Sequence, residues 1–143
     1  MMKKKGAGAE KETIFDSCGN KLAYVVRRDF EGYSAIEFVS DPGDEMQLGW
    51  MRRPKDYKVK AHEHVEIDRV IRSTSEVLFV RSGRLRLKLY GADDVLVSEH
   101  LLENGDIAML LGGGHAIEFL EESDLIEVKQ GPYVPDEKRF LDL

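Results

Sequence analysis

From Thr13 onward, short apolar runs alternate with turn-forming clusters at intervals of about 8–12 residues, a rhythm that predicts an all-β sandwich or barrel. The breakers are Cys18-Gly19-Asn20, Asp29 to Gly32, Ser40 to Asp44, Arg53-Pro54-Lys55, Ser82-Gly83, Gly91 to Asp94, Asn104-Gly105 and Gly112 to Gly114. Between them the pattern predicts strands at 21–27, 33–39, 46–52, 57–65, 76–81, 84–90, 95–102, 106–111, 115–120 and 124–129. The clearest is Arg84-Leu85-Arg86-Leu87-Lys88-Leu89, whose leucines point one way and whose charges point the other. The run Val77 to Val80 is apolar on both faces and needs cover on both sides, for which a second subunit is the candidate. No strong helical period appears, and 132–143 reads as a short helical turn or a strand-like arm. Residues 1–12 are small, polar and charged without periodicity, and read as a flexible tail ahead of one domain at 13–143.

Composition narrows the function classes. The chain has 143 residues, enough for one domain with its own core, and a net charge of −6. An acidic chain whose basic residues gather only at Lys3-Lys4-Lys5 and Arg52-Arg53 is a poor nucleic-acid binder, since phosphate contacts need concentrated Lys and Arg. No apolar run approaches the ~20 residues of a membrane helix, and no apolar stretch follows the basic start as it would in a secretory signal. The one cysteine, Cys18, cannot form an internal disulfide, which fits a cytoplasmic setting, and it reads as an inert packing residue.

The candidate chemistry sits on histidines and a glutamate. His62 and His64 are two apart, so on a strand both rings project from one face and can converge on a metal ion. Alone, the pair reads equally well as exposed polar residues. Glu76 opens an apolar strand, where an unpaired charge is costly, so it needs a partner. A metal could serve, and so could Arg52, Arg53 or Arg69. Three glycines lead into His115, giving the backbone freedom closed to other residues and leaving a pocket mouth open. His115 shares a strand face with Ile117 and Phe119 and is expected to point into an apolar interior, where a lone histidine is ordinarily a packed core residue. His100 reads as a structural or surface histidine. Tyr57, Gln47 and Gln130 are possible orienting groups, each as readily a surface or packing residue.

Taken together, His-x-His, a Glu with Gly seven positions later, and Gly-Asp followed by a Gly-rich turn into His resemble the two sequence motifs of the cupin superfamily. The resemblance spans Leu48 to Val128, and the 127–133 segment (EVKQGPY) is similar to a branch of small single-domain cupins, some associated with sugar and surface-polysaccharide loci. It implies a double-stranded β-helix, or jelly-roll barrel, with one divalent metal (Fe, Mn, Ni or Zn) on His62, His64, Glu76 and His115. The chain departs from the family in two places. Eleven residues, Val65 to Ser75, separate His64 from Glu76, a longer insertion than the family carries, which leaves Glu66 as a substitute ligand. Leu111 stands where a proline is usual, and the glycine-to-histidine spacing is one residue shorter.

Such a ligand set leaves open positions on the metal for a substrate's oxygens or for O₂. The expected pocket wall is apolar, from Leu78, Val80, Met109, Ile117 and Phe119. The leading expectation is a metal-dependent enzyme, of isomerase or oxygenase (dioxygenase) type, acting on a small polar molecule such as a sugar derivative or an oxo-acid. The alternatives are a non-catalytic metal- or ligand-binding or sensing module, and a structural barrel with a degenerate site. The small-molecule ligand and a second copy of the chain, in a homodimer, are the expected partners.

Overall fold

The computed structural model describes residues 10–32, 35–135 and 137–143. The fold is all-β with antiparallel pairing: β1 (Lys11–Phe15), β2 (Lys21–Val26), β3 (Ile36–Phe38), β4 (Gly49–Met51), β5 (Glu76–Ser82), β6 (Arg84–Tyr90), β7 (Leu96–Glu103), β8 (Ile107–Leu110), β9 (Gly114–Phe119) and β10 (Asp124–Lys129). They form a five-stranded sheet in the order β1-β2-β8-β5-β10, a three-stranded sheet in the order β7-β6-β9, and the separate β3-β4 hairpin. None of the sheets closes on itself. No helix among the described residues is long and apolar enough to cross a membrane.

The period-two alternation builds the core. Leu85, Leu87 and Leu89 of β6 are fully buried and share one apolar cluster with Leu78 and Val80 of β5, Ala23 and Val25 of β2, and Ala108 and Leu110 of β8. The two larger sheets therefore pack face to face, with the charged residues of β6 on the outer side. On that outer side Arg86 pairs with Glu118 at 2.7 Å and lies 3.6 Å from Glu99. The turn Asn104-Gly105-Asp106 is a structural staple: Asp106 is buried and accepts the Arg28 N–H (3.0 Å), the Glu103 N–H (3.0 Å) and Arg27 Nη1 (3.1 Å). Gly105 takes a φ of +88°, which a side chain would strain.

Four expectations need correction. The sheet begins earlier than the pattern suggests, since Lys11 and Glu12 pair with Val26 and Val25 in β1; residues 1–9 lie outside the described set. The strands expected at 33–39 and 46–52 shorten to the three-residue β3 and β4, with 33 and 34 outside the described residues. The strand expected at 57–65 does not form. From Arg52 to Ser75 the chain is irregular and mostly exposed, although Tyr57, Val59 and Ala61 alternate with Lys58, Lys60 and His62. Alternation specifies a face but supplies no hydrogen-bonding partner, and among the described residues no strand edge pairs with this segment. The outer face of β5, expected to be apolar and covered, leaves Phe79 exposed beside Ile126 and Val128 of β10.

Candidate functional site

The face-to-face packing sets the site. In β5, Glu76 lies on the same face as Leu78 and Val80, turned toward the second sheet. In β9, His115 pairs with Leu89 and so shares the inward face of β6. The two side chains meet across the gap, with His115 Nε2 at 3.3 Å from Glu76 Oε2. Gly113 makes the approach possible: its φ is +67°, and a Cβ there would lie 2.3 Å from the carbonyl oxygen of Tyr90.

Burial raises the Glu76 carboxyl above its ordinary value, and the like charge of Glu127, in hydrogen-bond contact, adds to the rise while His115 and Lys129 oppose it. Glu76 therefore holds its proton more readily than a surface glutamate and can donate or accept one at the contact with His115. Lys129 Nζ stands 3.9 Å from Glu76 Oε1. The pair lies on the wall of a cavity of about 530 Å³, inside the ~300–1,000 Å³ of small-molecule sites.

That cavity is not the apolar one expected. Leu78 and Val80 are sealed in the core, Met109 is fully buried, Ile117 packs against the core and Phe119 is exposed. The lining instead comes from Thr74, Glu76, Leu110, the Gly112 to Gly114 turn, His115 and Lys129, closed over by a strap at 137–141. The strap is fixed through Asp94, which accepts Arg139 Nη2 at 2.8 Å, Arg139 Nη1 at 3.1 Å and the Asp142 N–H at 3.0 Å. Those donors, the guanidinium foremost, pull the Asp94 carboxyl down to about 2. Glu137 of the strap pairs with Lys129, which lowers the glutamate and raises the lysine.

Of the four expected ligands, the structure brings Glu76 and His115 together. His62 and His64 lie in the irregular 52–75 segment, both exposed, with ring centroids 5.4 Å apart and His62 Nδ1 2.8 Å from the Lys60 carbonyl. Among the described residues, no group of three or more His, Cys, Asp or Glu side chains converges as a metal shell. Glu66, the substitute ligand, is exposed on the same segment. His100 is buried in β7, 2.9 Å from Ser98 Oγ and 3.8 Å from Glu12, and burial holds its imidazole below the ordinary value. Gln47 is occupied in its own loop by Ser40 and the carbonyls of Asp41 and Asp44, Tyr57 lies under Arg53, and Gln130 reaches its neighbour's carbonyl. None of the three lines the cavity. Cys18 is free and exposed, not packed.

Comparison with protein-family models, with curated proteins and with solved structures finds no match to this chain. The residues at the cavity that were not expected there are Lys129, Glu127, Asp94 and the strap. Lys129 and Glu127 were within reach of sequence reasoning, since they alternate with Leu125 on one face of β10. Asp94 and Arg139 are 45 residues apart and carry no motif.

Proposed function

We infer that the chain is a small-molecule-binding protein of cupin type, with its site centred on Glu76 and His115. The observation that carries this reading is the meeting of a buried carboxylate and an imidazole from opposite sheets, 3.3 Å apart, on the wall of a cavity of ligand size. It joins one expected ligand from each of the two motifs that carry the resemblance. The fuller reading is a metal-dependent enzyme of isomerase or oxygenase type. Glu76 and His115 would hold one divalent ion together with His62 and His64, and the ion would supply an open coordination position for a small polar substrate. The two halves are separate here, so this reading requires the 52–75 segment to fold onto the cavity. Its exposed Val59, Val65, Ile67 and Val70 give it apolar surface to bury there. Glu76 would then act at the substrate's edge as a ligand or a proton carrier, not both at once.

Metal content of protein purified without added metal tests it. Wild type should carry close to one ion per chain, and His62→Ala/His64→Ala should lower the content at least about tenfold. Equal, sub-stoichiometric metal in both would remove the metal reading. The second reading, a non-catalytic binding module, is favoured by the absence of a converged three-group shell among the described residues. A binding module would hold a ligand without turning it over. The homodimer belongs to the same proposal, with the exposed Phe79, Ile126 and Val128 as the shared face, and sedentation in the monomer position at high concentration by analytical centrifugation would overturn it.

A further inference from the structure

The strap contributes no residue to the apolar core. It is held by the Arg139 and Asp142 bonds to Asp94, and by Leu141 resting on Gly114, where a Cβ would lie 2.6 Å from Leu141 Cδ1. A segment tied down mainly by exposed polar contacts belongs to the low-stability end of a fold and can open without unfolding the rest. Ahead of these anchors, Glu137 lines the cavity, pairs with Lys129 and accepts a hydrogen bond from Thr74 Oγ1 at 3.4 Å. A carboxylate thus already lies in the cavity that Glu76 and His115 line, held by one cation and one hydroxyl, and it belongs to the chain itself.

We propose that the strap is an internal occupant of the site: Glu137 holds, on Lys129 and Thr74, the place of the carboxylate of a small acidic ligand that enters when the strap leaves Asp94. The proposal rests on the reading of the cavity as a small-molecule site and adds the ligand's class and its control. With the strap withdrawn, Lys138 and Arg139 leave the wall with it, and Lys129 flanked by Glu76 suits a carboxylate, which brings one charge to the contact, better than a phosphate, which concentrates two there. A tethered carboxylate acts at an effective concentration on the order of millimolar. A free acid therefore competes with it, and its apparent affinity falls by the fraction of chains with the strap released.

The test titrates succinate, followed by NMR shifts, into full-length chelator-treated protein, with neutral succinamide as the control. Glu137→Gln and Arg139→Ala should each bind succinate at least about tenfold more tightly than wild type. Adding Lys129→Met to Glu137→Gln should abolish binding. Thr74→Val, at an exposed position, should weaken it severalfold and serves if the lysine variant does not fold. Succinamide should bind none of them. Equal affinity in wild type and the two strap variants, no binding to either variant, or tight binding of succinamide would overturn the proposal. Because no metal is present, the result stands apart from the fate of the metal reading.

Discussion

Among the described residues, the sandwich carries two histidine–glutamate contacts between its sheets, one on each side, and their burial is reversed. On the β1–β7 side His100 is 8% exposed while Glu12 is 51% exposed, and the two lie 3.8 Å apart. On the β5–β9 side Glu76 is 12% exposed while His115 is 37% exposed, at 3.3 Å. On the first side the buried group is the imidazole, which burial keeps neutral, and Ser98 satisfies it, so the contact ends as packing. On the second the buried group is the carboxyl, which burial pushes toward its protonated form, and the imidazole faces a cavity. The same residue pair thus closes one edge of the core and opens a site at the other. What differs is which partner loses water.

The largest expected effect concerns the ligand half of this contrast. Glu76→Ala or His115→Ala should lower bound metal at least about tenfold, as measured by elemental analysis, whereas His100→Ala should leave it at the wild-type level. A matching loss in His100→Ala would erase the distinction between the two sides.

Stability should move the opposite way. His100→Ala removes a buried ring and strands its surroundings, and should cost about 1–3 kcal/mol in urea unfolding. His115→Ala, at a half-open position, should stay within about 0.5 kcal/mol. Equal costs would mean that His115 is a core residue like His100.

A smaller and sharper test is the sign of the pH dependence in chelator-treated protein. The folded pKa of His100 is depressed, so its contribution is present above the ordinary value of 6.5 and is lost as pH falls through the folded value. The folded pKa of Glu76 is raised, so its contribution is present below 4.5 and is lost as pH rises through the folded value. Thermal midpoints between pH 4 and 8 should therefore lose their acid-side fall in His100→Gln, while Glu76→Gln should gain stability relative to wild type toward neutral pH. Parallel curves for both variants would contradict the reversed burial.

Much of this was legible along the chain. The alternating leucines of β6 and the Ser82-Gly83 turn announce the β5–β6 hairpin, and a strand period of two assigns each side chain to a face without knowing the partner. The same period turned His115 inward and placed Glu76 at the start of a buried strand. It misled at 57–65, where an equally regular alternation pairs with no strand edge among the described residues. It also missed β1, because Lys11 and Glu12 look like tail until Val25 and Val26 lie beside them.

The amino-acid order by itself determined the strand periods, the turns that glycine must occupy, and the chemical character of the groups on each face, because these depend on neighbours a few residues away. Tertiary structure decided which groups meet: Asp94 with Arg139, Lys129 with Glu137 and, out of the four expected ligands, Glu76 with His115. It also decided which member of each contact is dehydrated. Those outcomes depend on how two sheets stack and on what covers their edges, and desolvation is set by the surrounding atoms in space and not by sequence neighbours.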